Sequence, residues 1–95
     1  MSAYHSYETV FKDKDCLVEA LKEMGFKPSV HDEAKQLTGY QGDKRQQTAE
    51  IIIPKAQVGS ASNDIGFKKE GDVYKAIISA YDGGKYNKNW QNKLK

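Results

Sequence analysis

Ninety-five residues, 38% of them apolar and 29% charged, suffice for one domain and are too apolar for a disordered chain. So short a chain buries about two-thirds of the surface its unfolded form exposes, which excludes a large core and favours a shallow groove or a sheet face over a deep pocket. The net charge of +2 hides an asymmetry, because Lys85, Lys88, Lys93 and Lys95 give residues 83–95 a charge of +4 and leave −2 for the rest.

Taken in chain order, Tyr4, Tyr7, Thr9, Val10 and Phe11 mark a first strand over residues 4–12, with Tyr7, Thr9 and Phe11 on one side. Asp13 or Asp15 then offers a carboxylate to the free N–H groups of a helix start. Leu17, Ala20, Leu21 and Met24 follow at helical spacing, and Gly25 supplies the left-handed residue that ends such a helix. The spacing predicts a helix over 14–24, with Phe26 folding back on its last turn.

Pro28 opens a less regular stretch, followed by a second strand over 34–38 and a turn at Gly39-Tyr40-Gln41-Gly42-Asp43. Residues 45–53 read as a third strand, with Ala49, Ile51 and Ile53 on one face and Thr48, Glu50 and Ile52 on the other. Pro54 ends it, and Lys55 to Ser62 reads as a flexible loop. Ile65 and Phe67 share a face of a short strand over 64–68, which a hairpin connection at 68–72 joins to a long strand over 73–81. There Tyr74, Ala76, Ile78 and Ala80 alternate with Val73, Lys75, Ile77 and Tyr81. Beyond Gly83-Gly84, Tyr86, Trp90 and Leu94 recur every fourth residue and predict a last helix with one apolar stripe. The element order is β-α-β-β-β-β-α. It predicts an α+β domain in which two helices pack on one face of an antiparallel sheet of about five strands.

The longest apolar run, Ile51-Ile52-Ile53, falls far short of the ~20 residues that span a bilayer. Met1 to His5 lacks the basic segment and apolar stretch of a secretory signal. Cys16 is the chain's one cysteine, so no intrachain disulfide forms and a reducing compartment suits it. The expectation is a cytoplasmic protein without membrane contact.

Chemistry-bearing residues are sparse. His5, His31 and Cys16 are scattered rather than paired at metal-ligand spacing, so no metal or cofactor is expected. Cys16 lies near a helix start, where a thiolate is favoured, but it reads as a small hydrophobe packed on the helix rather than as a nucleophile. Asp32-Glu33 and Glu70-Asp72 read as solvated loop acids rather than an acid–base pair. Neither phosphate-cradling glycine motif is present, and Gly83-Gly84-Lys85 reads as a turn before it reads as an anion site. Tyr81, Tyr86 and Trp90 interleave with Lys75, Lys85, Lys88 and Lys93, a pattern that suits single-stranded nucleic acid. The sequence pI of about 8.6 is nevertheless modest for that role, and Tyr86 and Trp90 are needed for packing.

Several pieces resemble one family. Ser2-Ala3-Tyr4-His5-Ser6, the helix ending in Met24-Gly25-Phe26, the Gly39-Tyr40-x-Gly42 turn and Asn63-Asp64-Ile65-Gly66-Phe67 look like the conserved family of hypothetical chloroplast reading frame thirty-five. That family spans cyanobacteria, plastids, other bacteria and phages. The resemblance supports the element order and implies no catalytic, cofactor or metal residue. This chain departs from the family's pattern after the long strand, where Asp82-Gly83-Gly84 replaces a basic-aromatic texture and the chain stops at Lys95, as a compact, viral version would.

The leading expectation is a small non-enzymatic binding protein that contacts another protein, with a phage-type modulator of a host system as a special case. Tyr40, Lys75, Tyr81, Lys85 and Lys88 are the candidate binding residues. The alternatives are a binder of a nucleotide or other small anion, and a single-stranded nucleic-acid binder.

Overall fold

Helix α1, Lys14–Glu23, is stopped at both ends by residues that the sequence offers for the purpose. Asp13 adopts an extended N-cap conformation, and its carboxylate accepts the Asp15 N–H at 3.1 Å. At the other end Gly25 has φ of 94°. Its N–H donates to the Lys22 carbonyl at 3.0 Å, and the Phe26 N–H donates to the Leu21 carbonyl at 3.1 Å. That pair of bonds satisfies carbonyls which the helix end would otherwise leave bare, and it turns Phe26 back towards the core.

The computed structural model describes residues 3–9, 11–59, 62–83 and 86. Its strands are β1 (Tyr4–Glu8), β2 (Ser29–Thr38), β3 (Lys44–Ile53), β4 (Ile65–Glu70) and β5 (Val73–Ser79), and a second helix, α2, spans Lys55–Val58. They form one antiparallel sheet in the order β1-β5-β4-β3-β2. The protein is therefore an α+β domain with a five-stranded antiparallel sheet, as the sequence predicts, and two helices among the described residues, of which α1 is one of the predicted pair. Among the described residues no helix is long and apolar enough to cross a membrane.

Several boundaries move. β1 ends at Glu8, four residues before its predicted end. β2 begins at Ser29, in the stretch read as irregular; register shifts between Val30 and Lys35 and between Gln36 and Thr38 break the alternation that would have revealed it. α2 lies in the predicted loop, as a single turn following Pro54, where the Gln57 N–H donates to the Pro54 carbonyl at 2.9 Å. The β4–β5 turn is tight: Glu70 pairs with Val73, and Gly71 has φ of 62° while Asp72 stays at negative φ. Trp90 and Leu94 of the predicted last helix lie outside the described residues. Tyr86 lies within them and is buried, as its place on the stripe requires.

The sheet has two differently covered faces. On the first, Ile51, Ile53, Ile65, Phe67, Ala76 and Ile78 meet Leu17 and Leu21 of α1, Val58 of α2 and Tyr86. The second carries a smaller cluster of Leu37, Ala49, Ile52 and Ile77, with Tyr4 against it. Ala49 was expected beside Ile51 and Ile53, and the structure corrects this. Alternation slips between Ala49 and Ile51, so Ala49 joins Ile52 instead. This slip is where β3 leaves its neighbour, because β3 pairs with β4 only over Ile51–Ile53. The far half of the β2–β3 hairpin then crosses the second face. As a result the Arg45 guanidinium lies 5.0 Å above the Tyr4 ring, although β5 and β4 separate β1 from β3 in the sheet. Gly66 permits the crossing, since a Cβ there would lie 2.7 Å from the Ala49 Cβ and 2.9 Å from Leu37 Cδ2.

Candidate functional site

Where the hairpin tip comes down, at the end of the sheet holding Ser79, four polar residues form a buried network. Asn63, Asp64, Ser79 and Asp82 are all less than a tenth exposed. Asp64 clamps two segments at once: one carboxylate oxygen accepts the Thr38 N–H and the other the Lys55 N–H, both at 2.8 Å. Its own N–H donates to the Thr38 carbonyl at 2.9 Å, and its carbonyl accepts the Tyr4 hydroxyl at 2.7 Å. Asn63 continues the network on both sides. Its amide oxygen accepts the Tyr40 N–H at 2.8 Å, and its Nδ2 donates to Ser79 Oγ at 3.0 Å. Asp82 Oδ2 accepts the Ser79 hydroxyl at 2.8 Å and the Asn63 N–H at 3.2 Å. Carboxylates buried with this many donors hold backbone segments in place, and charge-assisted bonds of this kind are the strong ones.

Two exposed tyrosines stand on this network. Tyr40 is 54% exposed and occupies the hairpin turn, whose shape its glycines allow. Gly42 has φ of 82°, and a Cβ on Gly39 would lie 2.6 Å from Asp43 Oδ1. The Tyr40 carbonyl also accepts Lys55 Nζ at 3.1 Å. Tyr81 is 61% exposed and directly precedes Asp82. Tyr40 is thus tied to Asn63 by its own N–H, and Tyr81 through the neighbouring Asp82.

The other sequence candidates lie elsewhere. Lys75 pairs with Glu70 at 3.9 Å and sits four residues along β5 from Ser79, about 13 Å away at the rise of a strand, so it does not join the tyrosine pair. Lys85 and Lys88 fall outside the described residues. Cys16 is exposed rather than packed, which corrects the small-hydrophobe reading. The helix turn points its Sγ at Asp13 Oδ2, 3.4 Å away, and that bond together with the charges of Asp13 and Asp15 holds the thiol's pKa up, opposite to what an attacking thiolate needs. Among the described residues no three of His, Cys, Asp and Glu gather as metal ligands do. A groove of about 280 Å³ opens on the second face between β1 and the crossing hairpin, lined by Tyr4, Ser6, Gln46, Thr48, Lys68 and Ile77 among others.

Reading the sequence missed Asn63, Asp64, Ser79 and Asp82 as a unit, because isolated polar residues carry no periodic signal. The available hint was the Asn63-Asp64-Ile65-Gly66-Phe67 segment. In the fold it grips the Gly39-Tyr40-x-Gly42 turn through Asn63, holds the strand before it through Asp64, and leaves room for the hairpin at Gly66.

No curated protein and no solved structure matches the chain. A family model described as "Protein of unknown function (DUF1257)" matches residues 20–95, and with four-fifths of its length covered the chain belongs to that family.

Proposed function

We propose that this protein is a small non-enzymatic binding protein that contacts another protein through the end of the sheet where Tyr40 and Tyr81 stand. One observation carries the reading: both exposed tyrosines rise from backbone that the same buried network fixes. Tyrosine has few rotatable bonds and an amphipathic ring, so a rigidly mounted tyrosine loses little entropy on burial in an interface. The acids beneath are committed to backbone N–H groups, which supports a role in presenting the tyrosines rather than in chemistry. The resemblance to the family of hypothetical chloroplast reading frame thirty-five, with its phage members, supports a more specific form of this reading, a cytoplasmic phage-type modulator of a host system.

The test compares capture from a native extract by the wild-type chain and by a Tyr40→Ala/Tyr81→Ala variant. Both rings are exposed, so the variant should melt within about 0.5 kcal/mol of wild type. The reading requires a captured protein that the variant loses; identical capture by both chains contradicts it. A rise in the wild-type melting temperature with nucleotides would favour the small-anion alternative instead.

A further inference from the structure

The two edges of the sheet are protected unequally. β2 has two register shifts and carries Asp32, Glu33 and Lys35, the irregularity and charge that keep a strand edge from pairing with another chain. β1 runs in unbroken register with β5 from Tyr4 to Glu8, and Glu8 is its one acid or lysine-type charge. Ala3 accepts the Ala80 N–H at 2.7 Å and the Thr9 N–H donates to the Tyr74 carbonyl at 3.1 Å. In an antiparallel ladder that phase turns the bonding groups of His5 and Tyr7 towards β5, and those of Tyr4, Ser6 and Glu8 towards the free edge. Among the described residues no strand pairs with that edge.

We propose that β1 pairs antiparallel with β1 of a second copy about a two-fold axis at Ser6, joining the two sheets into one. Centred there, Ser6 faces Ser6 and Tyr4 faces Glu8 in both directions, so every outward N–H and C=O of the strand finds a partner. A shift of two residues either way loses one of these pairs, and a larger shift towards the strand end sets Glu8 against Glu8, which like charge disfavours. Charge selects the same register. Residues directly opposite point to the same face, so Glu8 of the second copy, opposite Lys75 in its own sheet, lies beside Tyr4, whose ring carries the Arg45 guanidinium at 5.0 Å with the Asp43 carboxylate 3.8 Å from it. On the helix-covered face His5 meets Tyr7, which is 37% exposed in the single chain. Two-fold pairing is the commonest form of self-association. The seam adjoins the Tyr40–Tyr81 end, where Tyr4 pairs with Ser79 and bonds Asp64, but it uses neither exposed tyrosine, so its failure would leave the proposed function standing.

Sedimentation of the full chain from micromolar to millimolar concentration tests this. Wild type is expected to pass from monomer to dimer. Ser6→Pro removes an outward N–H while leaving the bonds to β5 intact, and is expected to stay monomeric with an unbroken fold by circular dichroism. Glu8→Arg places like charges together and should weaken the dimer about tenfold. A wild-type monomer at the highest concentration overturns the proposal. So does a dimer that Ser6→Pro leaves intact; if that variant fails to fold, an unweakened Glu8→Arg dimer does the same.

Discussion

One face of the sheet is covered by α1 and α2, the other by the far half of the chain's own β2–β3 hairpin, and different interactions hold the two covers on. On the first face the contact is a continuous apolar layer from Leu17 to Phe67 and Ile78, stabilised by burial of area with little demand on direction. On the second face four buried apolar residues share the work with directional bonds from Asn63 and Asp64 and with the Arg45–Tyr4 stack. The comparison teaches that apolar burial forms the domain, whereas the polar tethers fix where one segment of it lies. The second cover ends in an exposed tyrosine, Tyr40, whose backbone Asn63 fixes.

Phe67→Ala on the first face is the largest break. Phe67 is fully buried, and truncation should cost about 3–5 kcal/mol, much of the stability of about 5–15 kcal/mol typical of such domains. A denaturant midpoint checks this, and global rather than local unfolding is expected. Gly66→Val comes next and strikes the second cover. Its side chain would overlap Ala49 and Leu37, at a cost of about 1–3 kcal/mol, with the largest amide shifts expected in β2 and β3 rather than in α1. If α1 shifts as much as the hairpin, the two covers are not separable in the way described.

Tyr4→Phe is the smallest. It removes the hydroxyl bond to the Asp64 carbonyl, a loss of about 1 kcal/mol near neutral pH. Its pH dependence is more telling. Burial first, and then the Asp64 charge, hold the Tyr4 hydroxyl above its ordinary pKa of 10.0, against the opposing pull of Arg45. The folded chain therefore keeps this proton where the unfolded chain loses it. The resulting stability is fully present below pH 10.0 and is lost as pH rises above it. Tyr74, also raised by burial, contributes in the same direction in both proteins, so the difference between their alkaline melting profiles isolates Tyr4. Tyr4→Phe should show the flatter decline.

How legible these features are in the sequence follows from the same division. α1 is plain because Leu17, Ala20, Leu21 and Met24 keep helical spacing and Gly25 marks the stop. β4 and β5 are plain because Ile65, Phe67, Tyr74, Ala76 and Ile78 alternate without interruption. β2 is hidden by its register shifts, and the bend in β3 by one slipped residue between Ala49 and Ile51. The tyrosine end is half legible: Tyr40 stands out in its glycine turn, whereas Tyr81 reads as the end of the long strand although β5 stops at Ser79, and the Asn63–Asp82 link between them joins residues 19 apart by hydrogen bonds alone, which no periodicity records.

This network, and not the apolar cluster alone, holds the hairpin tip and its tyrosine in place. Amide hydrogen exchange in wild type and in Asn63→Ala tests this claim most directly. With its acceptor gone, the Tyr40 N–H should exchange about tenfold faster or more, and Thr38 should follow as the tip loosens, after correction for any change at the β4–β5 amides that report global opening. Unchanged protection at both Tyr40 and Thr38 would contradict the claim and detach the two tyrosines from any common support.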